Sequence, residues 1–367
     1  MINCSAYLPD DAGGPGRLAE VGLDVLDIRP AELVLPEATV RDERGGRLLT
    51  DGLIVDPAGG GGPFAEAGLD HQARAFGLTN AAFHTQRALR YVTGLLGRPL
   101  PRLVVRIGMH ERPRRWGGGH YRLPARDYDP EETEPIAPTG EVHLGGGRGL
   151  LPTPGARPYF AAPAHNMAIV YHEVGHHVCR HTADFRLNRP RPPNRQTNKK
   201  IALDEGCCDL LAAILLGTHD IYRWHRAALP PWDRRRRALG RQWTMAHFRG
   251  GRSDPHADGT VWASACWSAR ESVVAAGYDP ARFDRMLWRG LELGGAAVAA
   301  ELGGEVDAQA LRLRRHVARQ LEAMLRVDPD LADPVLAAMA QHGIWPGASN
   351  AELREADRAG RRAVVGA

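Results

Sequence analysis

The sequence predicts an α+β chain, and three observations support this class. Short apolar runs separated by proline and glycine occupy the first 60 residues, which is typical of strands joined by tight turns. Apolar residues recur at three- and four-residue spacings over 70–96, which indicates a helix. Helical patterns dominate beyond about residue 160. We therefore expect a β-rich N-terminal region (1–60), a mixed α/β lobe (61–160) and a mainly helical lobe (161–367).

The composition is that of a globular protein and narrows the classes of function. Of the 367 residues, 43% are hydrophobic and 25% are charged, and 47 basic against 43 acidic residues leave a net charge of +4. So small an excess does not favour nucleic acid as a partner, and no apolar run is long enough to span a bilayer. The five cysteines lack the spacing of a disulfide framework, and the first residues lack a secretory signal pattern. We expect a cytoplasmic protein with reduced thiols.

Strands and one long helix are predicted in the first 160 residues. The predicted helix over 70–96 ends at Gly97, because Pro99 follows and cannot continue it. Gly45-Gly46 is typical of a hairpin turn. The predicted strands are 25–28, 32–35, 53–55, 102–108 and 141–144.

The helical lobe contains a polar, basic, proline-rich segment over 184–200 that predicts a loop. A helix is expected after it, through Leu203 and Leu215 to Gly217. The run Arg234–Arg237 is interpreted as a solvated helix face, since no aromatic residues interleave it as in a nucleic-acid site.

The pattern His-Glu-x-x-His occurs at His172, Glu173 and His176. Residues four apart lie on the same face of a helix, so the two imidazoles can converge on one metal ion. Glu173 lies beside them, where it can deprotonate a metal-bound water. The flanking residues are apolar and predict a buried helix, in which imidazoles are costly without a polar partner.

A third metal ligand is expected downstream, because catalytic zinc takes three protein ligands and one water. The best candidate is Glu205, on the next predicted helix. Asp209 lies four residues on, where it can accept a hydrogen bond from the other ring nitrogen of His172. Alternatively, both acids only stabilise the first turn of their helix through its dipole.

The His-Glu-x-x-His pattern followed by Glu205-x-x-x-Asp209 resembles the gluzincin metallopeptidases, in particular the thermolysin and fungalysin relatives. The segment His256-x-x-Gly259 is similar to the His-x-x-Gly that opens a helix downstream of the glutamate ligand in those families. The resemblance implies a thermolysin-like zincin fold, with the active-site helix between a β-rich lobe and a helical lobe. It also implies Zn²⁺ as cofactor, a peptide or protein substrate, and a hydrogen bond from His256 to the oxyanion of the tetrahedral intermediate.

The resemblance also implies an edge strand that pairs with an extended substrate, and either 119–121 or 141–144 fits that place. The chain departs from thermolysin in having no tyrosine over 177–204, where the family has a second oxyanion donor. It also lacks the usual secretion signal, long propeptide and acidic calcium sites. These departures favour an intracellular peptidase with a narrow peptide substrate.

The predicted mechanism is peptide-bond hydrolysis at Zn²⁺ held by His172, His176 and Glu205. Glu173 is the general base and passes its proton to the leaving amine.

Two other interpretations use the same residues. Two histidines and a carboxylate also describe the ligands of Fe(II) oxygenases, although that class gives no role to Glu173 or His256. A structural zinc site in a non-catalytic binding protein would instead need a fourth ligand, for which Cys179, Cys207 and Cys208 are the candidates.

Overall fold

A six-stranded mixed sheet, a two-stranded sheet and eight α-helices make up most of the part of the chain that the computed structural model describes. The described residues are 1–9, 17–47, 69–109, 118–123, 135–146, 163–184, 202–221, 237–249, 255–301 and 316–365. The predicted α+β class is confirmed at this level. The predicted strand at 53–55 and most of the predicted loop at 184–200 lie outside these residues.

The sheet has the strand order β3-β4-β5-β6-β8-β7. Its central strands β5, β6 and β8 are parallel, whereas β3, β4 and β7 pair antiparallel with their neighbours. Strand β7 is therefore one edge of the sheet within the described residues. The other candidate for the edge strand, 141–144, belongs to β8, which lies between β6 and β7. The strands are β3 (Asp27–Arg29), β4 (Glu32–Val34), β5 (Ala38–Asp42), β6 (Leu103–Met109), β7 (Gly119–Arg122) and β8 (Glu141–Gly145).

The first residues form two strands that the sequence analysis missed. Strands β1 (Ile2–Leu8) and β2 (Arg17–Leu23) pair antiparallel in a sheet of their own. Strand β5 then pairs with β6, so the six-stranded sheet joins residues on both sides of the boundary expected near residue 60.

Helix α1 (Leu69–Leu96) confirms the predicted helix over 70–96. Gly97 ends it with a φ of +68°, a conformation that glycine adopts without strain. The buried side chain of Asn80 joins three parts of the fold, since its Oδ1 accepts from the Tyr7 amide at 2.9 Å and its Nδ2 donates to the Ala164 carbonyl at 2.8 Å.

Helix α1 also carries a buried neutral histidine. His84 Nε2 donates to the Tyr7 carbonyl at 2.9 Å, and His84 Nδ1 accepts from the Tyr171 hydroxyl at 2.6 Å. Burial, helped by the charge of Arg87, lowers the pKa of His84 to about 3. The neutral ring thus makes one bond with each nitrogen and needs no counter-charge.

Seven further helices follow, and their apolar faces share one core with the sheet. Trp262 and Trp288 are the largest side chains that this core buries completely. Within the described residues, none of the helices has the length and hydropathy needed to cross a membrane. The helices are α2 (Met167–Arg180), α3 (Ala202–Leu216), α4 (Pro255–Ala275), α5 (Pro280–Glu301), α6 (Val317–Val327), α7 (Ala332–Gln341) and α8 (Asn350–Val365).

Candidate metal centre

Helix α2 carries the His-Glu-x-x-His pattern through the core. Its first turn is capped by Asn166, whose side chain accepts from the Ile169 amide at 3.1 Å. Val170, Val174 and Val178 are fully buried on this helix. The polar residues of the pattern are buried as well, with His172 4%, Glu173 5% and His176 5% exposed. The sequence therefore places three ionisable groups where water cannot solvate them.

Glycines allow the three helices of the site to approach closely. A Cβ on Gly175 of α2 would lie 2.8 Å from the Cα of Cys208 on α3. A Cβ on Gly259 of α4 would lie 2.7 Å from the amide nitrogen of Gly206 on α3. Each contact is too short for any larger residue, so these glycines bring the polar residues of α2, α3 and α4 together.

His172 lies between two carboxylates of α3. Its Nδ1 donates to Asp209 Oδ1 at 2.8 Å, and its Nε2 lies 3.1 Å from Glu205 Oε2. A neutral imidazole has one N–H and can donate to only one of them. A cation between Nε2 and Glu205 would satisfy the second contact.

His176 repeats this arrangement with different partners. Its Nδ1 lies 3.1 Å from Asp204 Oδ2, and its Nε2 lies 3.6 Å from Glu205 Oε2. Asp204 was missed in the sequence analysis, although its place beside Glu205 was a usable signal. A carboxylate on the far nitrogen of each histidine is the usual support of metal-ligating imidazoles.

Two distances between candidate ligand atoms can be compared with those around a tetrahedral divalent cation. Oxygen and nitrogen ligands about 2.0–2.1 Å from zinc lie about 3.3–3.4 Å apart. The two Nε2-to-Glu205 distances, 3.1 and 3.6 Å, lie on either side of that spacing. These two distances suit a divalent cation shared with Glu205. Among the described residues, the sets of three whose ligand atoms all lie within 4.8 Å of one another are His172–Glu205–His256, His172–His176–Cys208 and Cys179–Asp204–Cys208.

His256 opens helix α4 and also contacts Glu205. Its Nδ1 lies 3.0 Å from Glu205 Oε2, and its side chain is 20% exposed. The ligand atoms of His172, Glu205 and His256 all lie within 4.8 Å of one another. By position alone, His256 is thus a second candidate for the ligand role that the sequence analysis gave to His176.

The pKa values of the α3 acids follow from this arrangement. Burial alone would raise the pKa of Glu205, but the charges of His176 and His256 outweigh it and hold the pKa well below its usual range. Burial would likewise raise the pKa of Asp209, yet Arg237 and His172 lower it to about 2. Both acids are therefore anions at neutral pH.

Arg237 contradicts the interpretation of the run Arg234–Arg237 as a solvated helix face. Its Nη2 donates to Asp209 Oδ1 at 2.5 Å, and its side chain is only 11% exposed. It therefore lies in the site and not on a solvated helix face, whereas Arg234–Arg236 lie outside the described residues. Nothing in a run of arginines marks which one reaches inward, because that depends on the fold between distant segments.

Glu173 faces the edge strand of the sheet. A Cβ on Gly119 of β7 would lie 2.6 Å from the Cγ of Glu173 and 2.8 Å from its Oε1. Glu173 Oε2 is buried and has no hydrogen-bond partner among the described residues. A buried carboxylate oxygen without a protein partner has an uncompensated cost that a water or substrate group can remove.

Tyr121 and His177 lie behind the site. The Tyr121 ring stacks on His176 with centroids 6.4 Å apart, and its hydroxyl donates to the Thr139 carbonyl at 2.8 Å. His177 Nε2 donates to the Pro101 carbonyl at 2.8 Å. Tyr121 therefore does not supply the oxyanion donor that the segment 177–204 lacks.

Sulfur lies on the other side of His176. Cys208 Sγ is 3.2 Å from His176 Nδ1, the nitrogen that faces away from Glu205. One ring nitrogen each of His172 and His176 and the sulfur of Cys208 all lie within 4.8 Å of one another, so the sulfur considered for a closed structural zinc site is near both histidines.

No family model matches the chain, and no curated protein matches its sequence.

Proposed function

We propose that the protein is a zinc metallopeptidase of the gluzincin type with a thermolysin-like arrangement of its lobes. The observation that carries this proposal is the approach of two imidazoles to Glu205 Oε2, each backed by a second carboxylate. A zinc ion bound there would polarise the scissile carbonyl and activate a water.

The choice of His172 and His176 over His256 as the histidine ligands depends on their far nitrogens. Metal-ligating histidines donate their second N–H to a carboxylate or carbonyl. Asp209 and Asp204 fill that place for His172 and His176. His256 instead directs its Nδ1 at Glu205 itself. Its side chain is more exposed than those of His172 and His176, as expected for a group that contacts the substrate.

Glu173 then acts as the general base. Its buried Oε2 accepts the proton of the attacking water and returns it to the leaving amine. His256 donates to the developing oxyanion, which can contribute a few kcal/mol to lowering the barrier. Asp209, with Arg237, and Asp204 keep the two ligand rings oriented.

The substrate is proposed to be an extended peptide. Among the described residues, strand β7 is the last strand of the sheet and lies against Glu173, so main-chain pairing along its outer edge would bring a peptide bond to the base. The oxygenase alternative gives no role to Glu173 or His256. The five cysteines are all unbridged, which supports a cytoplasmic protein.

Digestion of a peptide library tests the proposal. The purified protein, the same protein with a zinc chelator, and the Glu173→Gln variant are each incubated with the library, and the products are read by mass spectrometry. Cleavage that both the chelator and the variant abolish is the expected result. If no peptide gives a chelator-sensitive product, the proposal is wrong.

A further inference from the structure

Three thiols lie together behind the candidate metal centre. The sulfur of Cys179 on α2 lies within 4.8 Å of the sulfur of Cys208 on α3, and Cys207 precedes Cys208 on that helix. All three are free cysteines, and each is at most 1% exposed. The proposed reaction uses none of them.

One carboxylate completes this cluster. The ligand atoms of Cys179, Asp204 and Cys208 all lie within 4.8 Å of one another. The close contact at Gly175 brings α2 onto Cys208, and Cys179 follows one turn later on the same face. The fold therefore places two thiols and one carboxylate around one point.

We infer that Cys179, Asp204 and Cys208 form a second metal site, for a thiophilic divalent cation such as Zn²⁺ or Cd²⁺. Sulfur ligands about 2.3 Å from a tetrahedral ion lie about 3.8 Å apart, which the spacing of this cluster allows. Thiolate ligands select such cations over Mg²⁺ or Ca²⁺. On binding, each of the two thiols releases its proton to solvent, and the ion is held by two thiolates and one carboxylate.

The second site is coupled to the first through His176. Asp204 Oδ2 lies 3.1 Å and Cys208 Sγ 3.2 Å from His176 Nδ1, while Nε2 of the same ring faces Glu205. An ion bound by Asp204 would take from His176 the carboxylate that orients it. Metal binding at the second site should therefore change the orientation of His176 in the first site, whether or not the protein cleaves peptides.

Titration with Co²⁺ tests the inference, because a cobalt–thiolate bond gives a charge-transfer absorption that nitrogen and oxygen ligands do not give. We expect the metal-free protein to bind two equivalents of Co²⁺, one of them with the thiolate absorption. Cys179→Ser and Cys208→Ser should each lose one equivalent and that absorption. The matched control is Cys4→Ser, which removes a buried thiol on β1 and should change neither.

Two further variants test the second site without removing a thiol and separate it from the first site. Asp204→Asn retains both thiols, and it should weaken the thiolate-bound Co²⁺ at least tenfold even if the serine variants fail to fold. His172→Ala should lose the Co²⁺ without thiolate absorption and keep the other. If the wild type shows no thiolate absorption, or if His172→Ala removes it, the inferred second site does not exist. Neither outcome depends on whether the library digestion yields products.

Discussion

Replacing Gly119 with alanine tests whether the edge strand fixes the position of the proposed base. The added Cβ would lie 2.6 Å from Cγ, 2.9 Å from Cδ and 2.8 Å from Oε1 of Glu173. Carbon atoms in ordinary contact are about 3.5–4.0 Å apart, so one group must move by about 1 Å. Strand β7 is held by its pairing with β8, in which Gly119 lies opposite Leu144, so Glu173 is the group expected to move.

The size of the effect differs between stability and activity. Overpacking costs about 1–3 kcal/mol, and the lower end is expected because the Glu173 side chain can rotate. Misplacing a catalytic group by about 1 Å can reduce the rate about 10²-fold, which is about 2.7 kcal/mol of barrier. We therefore expect a large loss of kcat/KM with a small loss of stability and unchanged zinc content.

The assay compares kcat/KM on a peptide from the library, the zinc content and the urea midpoint for the two proteins. The matched control is Gly94→Ala on α1, where an added Cβ meets nothing within 4 Å. That variant should keep full activity and gain about 0.5–1 kcal/mol, since alanine favours a helix more than glycine does. If Gly119→Ala is as active as wild type, Glu173 is not the base or does not need its contact with β7.

Four further predictions concern single side chains. Glu173→Gln should retain zinc and lose turnover by about 10²–10⁴-fold, as expected for a general base; normal turnover would contradict this role. Glu205→Ala should purify without tightly bound zinc, measured by elemental analysis, and full retention would remove Glu205 from the ligand set. His176→Ala should also lose zinc while His256→Ala keeps it, and the reverse result would exchange their roles. Burial lowers the pKa of His84 from 6.5 to about 3. Below about pH 6.5 the unfolded chain therefore binds a proton at this residue that the folded chain excludes. The free energy of unfolding then falls by about 1.4 kcal/mol for each pH unit by which the pH drops. Urea titrations at pH 7 and pH 5 should show a smaller difference for His84→Gln, and an equal difference would refute the assignment.

Local patterns predicted much of the fold because they are short-range. The period of α1 and the glycine after it defined that helix to within one residue. Strands β1 and β2 were missed, since a two-stranded sheet depends on a partner more than on its own residues.

The candidate site likewise combines features that short-range patterns predict with features that depend on distant segments. The spacing of His172 and His176, and the acids on the next helix, are properties of single helices and could be predicted from the sequence. Asp204 lies beside Glu205 and could have been found from the sequence, whereas the place of Arg237 depends on how separate segments pack, which no local pattern records. The supporting contact of Arg237, unlike the candidate ligands, therefore required the structure.

The glycines at the helix crossings have a consequence for recognising distant relatives of this protein. A ligand can be replaced by another residue that binds the same metal, but the contacts at Gly175, Gly206 and Gly259 leave no room for any side chain. A chain with the same crossings must keep glycine at these places even if its chemistry has changed. The three glycines together would thus identify the architecture in sequences whose candidate metal ligands have been replaced.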